Sequence, residues 1–117
     1  LTTHREVISE AIHSSICDVL GLPAEKRFHR FIALDKDDLI YPSGRGSAYT
    51  VIEILMFEGR DRQTCRRLLE RLMTDVSNAL ECDIEAIEIT LIETPQSNWG
   101  IRGKVADELV LNYSVNR

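Results

Sequence analysis

An arginine at a predicted strand-to-helix junction is the first candidate for chemistry in this sequence. The stretch FEGRDRQTCRR places Arg60 where an apolar strand gives way to a helix. Free backbone N–H groups at a helix start favour anions, whereas a cation there opposes the helix dipole. Arg60 is therefore explained if it helps to hold a carboxylate or phosphate, or it belongs to a solvated face. We interpret Arg66, Arg67 and Arg71 as such a face and leave Arg60 open between the two.

Two loops carry further candidate ligand-binding side chains. YPSGRGSAY sets Tyr41 and Arg45 in a glycine-rich loop, which is either a flap over a small anionic ligand or an ordinary turn. SNWGIRG contains the single tryptophan, Trp99, followed by Arg102. A lone tryptophan either packs in a core or interface, or walls an apolar pocket that carries a few polar groups.

The other reactive side chains favour structural roles. His4, His13 and His29 lack the spacing of metal ligands, so no metal site is expected. The three cysteines form no C-x-x-C motif, and their odd number favours free thiols in a reducing cytoplasm. Glu53 lies in an apolar strand, so we expect an ion pair with Arg30 or, as a second interpretation, a catalytic acid. No nucleotide-binding loop or nucleophile elbow is present, and no cofactor is expected.

The overall composition limits the partners. The chain has 117 residues, of which 44% are hydrophobic, as expected for one domain with its own core. Its net charge of −5 disfavours a nucleic-acid partner. No apolar run approaches the length of a membrane span, so a membrane partner is not expected either.

Two helices are predicted from apolar residues that recur three or four positions apart. The first apolar stripe runs over residues 7–20 and is ended by Gly21 and Pro23. The second runs over residues 65–80, with Asp61 as its expected N-cap. These helices are the elements that must position Arg60 and its neighbours.

Each predicted helix is followed by an acidic loop and a strand, and the two copies lie 60 positions apart. The strands are expected at residues 27–34 and 86–93, and another strand at residues 48–57 precedes the second helix. This last strand is apolar on both faces apart from Thr50 and Glu53, so we expect it at the centre of the sheet. By the same offset, a strand of about ten residues is expected ahead of residue 1.

This repeat predicts an α+β fold built from tandem β-α-β units. A four-stranded sheet would carry two helices on one face, with its first strand missing from this sequence. The halves span about residues 1–48 and 49–117 of one domain. Near the end of the chain, Leu111, Tyr113 and Val115 alternate with polar residues. They predict a short strand that adds to the sheet of a neighbouring molecule.

The stretches YPSGRGSAYTVIEI, EGR and NWGIRG resemble the tautomerase superfamily, which includes 4-oxalocrotonate tautomerase and malonate semialdehyde decarboxylase. The resemblance implies a homotrimer with helices outside and a small carboxylate substrate. It also implies an amino-terminal proline as the proton-transferring group, which would precede this sequence. Arg60 matches a carboxylate-binding arginine of the family, and Trp99 matches a pocket wall. Glu58 stands where the decarboxylases have a second arginine, which argues against decarboxylation.

Three functions are compatible with these observations. The first is a tautomerase or isomerase acting on small 2-oxo or enol acids. The second is a ferredoxin-like module that binds a small effector near Arg60, since two β-α-β units fit that fold too. The third is a protein with the tautomerase fold that has lost its chemistry and only binds ligands.

Overall fold

Two helices packed on one face of a parallel strand pair form the centre of the structure. The computed structural model describes residues 2–46 and 48–115, without the side chains of Thr2 and Thr3. Its helices are α1 (Thr2–Leu20) and α2 (Arg62–Leu80), and its strands are β1 (Thr50–Phe57), β2 (Ile87–Thr94), β3 (Gly100–Ile101) and β4 (Lys104–Val105). Single 3-10 turns lie at Ile84–Ala86, Gln96–Asn98 and Ala106–Glu108. The predicted α+β class is confirmed.

Local sequence explains where both helices end and where α2 begins. The Asp61 carboxylate accepts a hydrogen bond from the Thr64 N–H at 2.8 Å, which caps the start of α2 as predicted. Glu81 closes α2 in the left-handed region, at φ 52°. Gly21, at φ 70°, ends α1, and its N–H donates to the Cys17 carbonyl at 2.9 Å. Glycine adopts this conformation without the steric cost that a Cβ would bring.

β1 and β2 run parallel in register from Thr50 opposite Ile87 to Phe57 opposite Thr94. One face of this pair meets the helices, because alternate side chains of a strand point to opposite sides. Its other face is open to solvent, and Leu55 is 58% exposed there. The core joins residues of both helices and both strands: Ile12, Val19, Leu20, Met56, Leu68, Leu72, Val76 and Ile87.

The predicted strand at residues 27–34 is wrong. This segment forms no regular secondary structure, and no described strand pairs with its backbone. A strand needs a neighbour for its N–H and C=O groups, and within residues 2–46 and 48–115 the segment instead meets α1 through side chains. The His29 ring nitrogen shares a 2.7 Å hydrogen bond with the Ser9 hydroxyl. Phe28 and Ile32 are 88% and 73% exposed.

Two smaller predictions need correction. β1 pairs with β2 along one edge only, so within the described chain it is not a central strand. Glu53 is exposed on the open face, and no described cation, Arg30 included, comes within ion-pair distance of it. Because water solvates this carboxylate, it needs no buried partner.

The last described residues of the chain lie outside the sheets. Leu111, Tyr113 and Val115 form no strand within the described chain, and pairing with a neighbouring molecule stays a prediction. None of the described helices combines the length and the apolar character needed to cross a membrane.

Candidate functional site

Arg60 is held at the carboxyl end of β1, directly before α2 begins. Its side chain is buried, with 8% of its surface exposed. One guanidinium nitrogen donates to the Phe57 carbonyl at 2.8 Å. A guanidinium has five N–H donors in a rigid plane, so this bond fixes the direction of the whole group. Arg60 is therefore a preoriented cation at the edge of the sheet, whereas Arg62, Arg66 and Arg67 on α2 are exposed.

Trp99 joins the same end of the sheet through Phe57. The two rings pack edge to face, with centroids 5.2 Å apart and planes at 78°. The indole N–H donates to the Thr94 hydroxyl at the end of β2. The Trp99 carbonyl accepts from the Ala106 N–H at 2.8 Å, which ties the residue to the following turn. Phe57 thus links the Arg60 guanidinium to the Trp99 ring, because its carbonyl accepts a hydrogen bond from Arg60 and its ring packs against Trp99.

A cavity of about 380 Å³ lies between the segment after α1, the turn at Arg102 and the tail of the chain. Its lining is formed by Glu25, Lys26, Phe28, Arg102, Val110, Leu111 and Asn112. Tyr113 follows the lining residue Asn112 along the chain. Its ring lies 5.8 Å from the Lys26 ammonium nitrogen. Burial raises the pKa of the Tyr113 hydroxyl, while the positive charges of Arg60 and Arg102 act to lower it.

Arg102 reaches the cavity from a tight turn. Strands β3 and β4 pair antiparallel around Arg102 and Gly103, which have φ angles of 53° and 76°. Two successive residues with positive φ are typical of the two-residue turns that join β-hairpins. The side chain of Arg102 is exposed on the cavity rim.

Tyr41 and Arg45 lie at the opposite end of the strand pair. The Tyr41 and Tyr49 rings stack with centroids 4.7 Å apart. Tyr49 donates to the Glu88 carboxylate near the start of β2 at 2.6 Å, and Arg45 donates to the Tyr49 hydroxyl at 3.4 Å. β1 spans eight residues, so roughly 23 Å separates this loop from Arg60 at the usual rise of a strand. Within one chain, the structure brings Arg60 and Trp99 together through Phe57. It places Arg102 on the rim of the cavity and leaves Tyr41 and Arg45 at the other end of the strands.

Three residues of this site were not predicted from the sequence. Phe57 could have been found, because it is the last strand residue before the EGR stretch. Lys26 and Tyr113 come from distant parts of the chain, and no local motif marks either one. Only the packing of the tail against the segment after α1 reveals their contact.

The other reactive side chains lie elsewhere. His13 is buried on α1 with the Cys17 sulfur 3.5 Å from its ring, and burial raises the pKa of that thiol. Burial lowers the pKa of His29, and the charge of Arg27 acts in the same direction. Within the described ranges, no three His, Cys, Asp or Glu side chains converge closely enough to hold a metal ion.

Comparison with solved structures supports the fold. FG41 malonate semialdehyde decarboxylase inhibited by 3-bromopropiolate is similar with 24% identity and a TM-score of 0.70, over 84% of this chain and 78% of that one. A member of the cis-3-chloroacrylic acid dehalogenase family gives 24% identity and a TM-score of 0.76, over 87% and 72%. A symmetric trimer of wild-type fused 4-OT gives 13% identity and a TM-score of 0.81, over 93% and 91%.

At these identities the solved structures establish the fold alone. A family model described as "Tautomerase enzyme" goes further, because it matches residues 26–102 of this sequence. That range holds Arg60, Trp99 and Arg102 as well as β1, α2 and β2. Since the match covers well over half of the 117 residues, the chain belongs to the tautomerase family.

Proposed function

We propose that this protein is a tautomerase that interconverts the enol and keto forms of small 2-oxo carboxylic acids. The observation that carries the proposal is the buried Arg60, fixed on the Phe57 carbonyl at the entrance of α2. A rigid guanidinium there can bind the substrate carboxylate in two parallel hydrogen bonds. The family match includes this position.

Interconversion of the enol and keto forms requires stabilisation of the negative charge that develops on the substrate. When a proton leaves the carbon next to a carbonyl, charge develops on the carbonyl oxygen, and preoriented donors lower the barrier most effectively. Arg60 meets that requirement, and Arg102 adds a second cation. Trp99 and Phe57 supply an apolar wall that strengthens these interactions by keeping water out.

The proton-transferring group is, in this proposal, an amino-terminal proline of the full-length protein, as the resemblance implies. A secondary amine near Arg60 would have its pKa lowered by the neighbouring positive charge and would be a neutral base close to physiological pH. Glu58 is exposed, and its negative charge at the place of a second arginine is why decarboxylation forms no part of the proposal.

We further propose a homotrimer, in keeping with the trimeric fused 4-OT structures that share the fold. The open face of β1 and β2, where Leu55 is exposed, supports association. In such an assembly, Tyr41 and Arg45 would serve the site of a neighbouring copy, since they lie far from Arg60 in their own chain. The comparisons give no support to the ferredoxin-like effector module.

Ketonisation of phenylenolpyruvate by the full-length protein tests the function. We expect Arg60→Ala to lower kcat/KM by about 100-fold or more, the usual cost of removing a donor that stabilises developing charge. Arg66→Ala is the matched control, because Arg66 is exposed on α2 and, among the described residues, forms an ion pair with Glu70 alone, at 3.7 Å. Circular dichroism of both variants separates loss of activity from loss of fold. Unchanged turnover by Arg60→Ala would contradict the proposal.

A further inference from the structure

The Ser9 hydroxyl and the His29 ring meet between α1 and the segment that follows it. The Ser9 oxygen lies 2.7 Å from His29 Nδ1, and the Arg27 guanidinium donates to the same oxygen at 3.3 Å. Arginine is a donor only, so Ser9 accepts from Arg27 and keeps its own proton to donate. Among the described residues, His29 Nδ1 is the acceptor within reach of that proton. A hydroxyl that donates to an imidazole is the arrangement of a nucleophile and its general base.

The surroundings of His29 suit a base. The ring is half-buried, and burial lowers the pKa of His29 below its ordinary value. The charges of Arg27 and His13 act in the same direction. The imidazole is therefore neutral near physiological pH, which is the form that takes up a proton.

Arg27 lies where an acyl-transfer reaction develops negative charge. Besides contacting the Ser9 oxygen, its guanidinium pairs with the Glu10 carboxylate at 3.3 Å, which holds the group over Ser9. Attack by a hydroxyl on an ester carbonyl turns the carbonyl oxygen into an oxyanion next to the attacking oxygen. A guanidinium that already touches the attacking oxygen can donate to that oxyanion.

A cavity of about 530 Å³ opens at these side chains, a volume within the range of small-molecule pockets. Ser9, Arg27 and His29 form part of its lining. The Phe31 ring supplies an apolar wall, and the Arg5 guanidinium carbon lies 5.9 Å from its centroid. The two arginines of the lining are matched by two glutamates, so the cavity favours a neutral ligand.

We propose that Ser9, His29 and Arg27 form an esterase site for small neutral carboxylic esters, separate from the site at Arg60. The Ser9 oxygen bonds to the ester carbonyl carbon while its proton passes to His29 Nδ1, and Arg27 donates to the oxyanion. The bond to the alcohol oxygen then breaks, and the alcohol leaves with the proton from His29. Water hydrolyses the acyl-serine through the same two steps, which releases the acid and restores the Ser9 hydroxyl.

Hydrolysis of p-nitrophenyl acetate by the full-length protein tests the proposal. We expect an acetyl group on Ser9, located by peptide mass spectrometry. His29→Gln keeps a side chain that forms hydrogen bonds but cannot take up a proton, so it should slow acetylation by about 100-fold, the usual contribution of a general base. Arg27→Gln should slow it by about tenfold or more, because a donor to the oxyanion is lost.

A second serine on the same helix provides the control. Ser9→Ala removes the nucleophile and should abolish acetylation, while alanine suits a helix interior and preserves the fold. Ser14→Ala should leave hydrolysis unchanged, because Ser14 is exposed on α1 and is not part of the cavity lining. Diisopropyl fluorophosphate, which phosphorylates activated serines, should label Ser9 of the wild type and so requires no variant.

The outcomes are distinct. Acetylation that survives Ser9→Ala, or that maps to a lysine, a cysteine or the amino terminus, overturns the proposal. Equal loss of hydrolysis in Ser9→Ala and Ser14→Ala overturns it too, as does a wild-type Ser9 that neither reagent labels. If Ser9→Ala does not fold, the labelling of wild-type Ser9 and its loss in His29→Gln decide.

Discussion

The two halves of this chain share a pattern but not a structure. In the second half, α2 is followed by β2, which pairs with β1 along eight residues. In the first half, α1 is followed by a segment with the same spacing of apolar residues, and residues 27–34 stay outside any sheet. Ile92 is half-buried, whereas Ile32, its counterpart 60 positions earlier, is 73% exposed. The same pattern becomes a strand only where the described chain offers a partner for its backbone.

The helices nevertheless keep the symmetry of the repeat. The Ser15 hydroxyl, which is fully buried, donates to the Asp75 carboxylate at 3.0 Å, and these residues are themselves 60 positions apart. Arg71 pairs with Asp18. A later residue of α1 therefore contacts an earlier residue of α2, so the two helices run antiparallel. Equivalent residues that touch lie near an approximate twofold axis. The two helices are thus related by this approximate axis. The described strands are not, because β1 and β2 flank α2 in sequence and no described strand follows α1 at the equivalent place.

Core truncation in the complete half gives the largest expected effect. Leu72 has no exposed surface, so Leu72→Ala should lower the free energy of unfolding by about 2 to 5 kcal/mol. Ile32→Ala, in the segment outside the sheet, should change it by less than about 0.5 kcal/mol because its side chain is already solvated. Urea unfolding measures both values. A cost for Ile32→Ala close to that of Leu72→Ala would show that another strand or another copy covers the segment.

The contact between the halves should give a smaller effect. Arg71 bridges α1 and α2, with nitrogen atoms 3.0 Å from Asp18 and 2.9 Å from Asp75. All three side chains are partly exposed, so water and salt screen the pairs, and Arg71→Ala should cost about 1 kcal/mol. The cost should fall in high salt. Arg66→Ala removes an exposed pair within α2 alone and should cost about 0.3 kcal/mol. Equal costs would mean that bridging the halves adds nothing.

What the sequence predicts well is local. The ends of both helices, the Asp61 cap and the strand before α2 follow from residues a few positions apart, and the structure has them within one or two residues. The repeat is also predictable, because similar stretches recur at a constant offset of 60 positions. The strand at residues 27–34 failed because pairing depends on a distant partner, which periodicity cannot supply.

The residues of the candidate site also differ in how well the sequence predicts them. Arg60 and Trp99 each follow a strand end, and this local position is enough to predict them as candidates. Lys26 and Tyr113 meet only after the tail has folded back against the segment that follows α1, so no window of sequence contains both. Tyr41 and Arg45 share a loop that looks suited to a ligand, but the length of β1 sets them at the other end of the sheet.

The start of α2 offers the finest test of the difference between the halves. Asp61 caps that helix, while the position 60 residues earlier is Leu1, which has no side-chain acceptor and lies outside the described residues. The backbone N–H of Thr64, followed by its side chain, holds the pKa of Asp61 below its ordinary value. A carboxyl whose pKa is lowered by folding adds stability that is present above its ordinary pKa and lost as pH falls through the lowered value.

Asp61→Asn keeps an acceptor for the Thr64 N–H but does not titrate, so its melting temperature should fall less in acid than that of the wild type. Asp61→Ala loses the acceptor and should melt lower than Asp61→Asn at neutral pH, with the same weak dependence on acid. Thermal unfolding of the three proteins between pH 7 and acid measures this. Parallel curves for the wild type and Asp61→Asn would show that ionisation of Asp61 adds no stability, and equal melting temperatures for Asp61→Asn and Asp61→Ala at neutral pH would show that α2 starts without help from its cap.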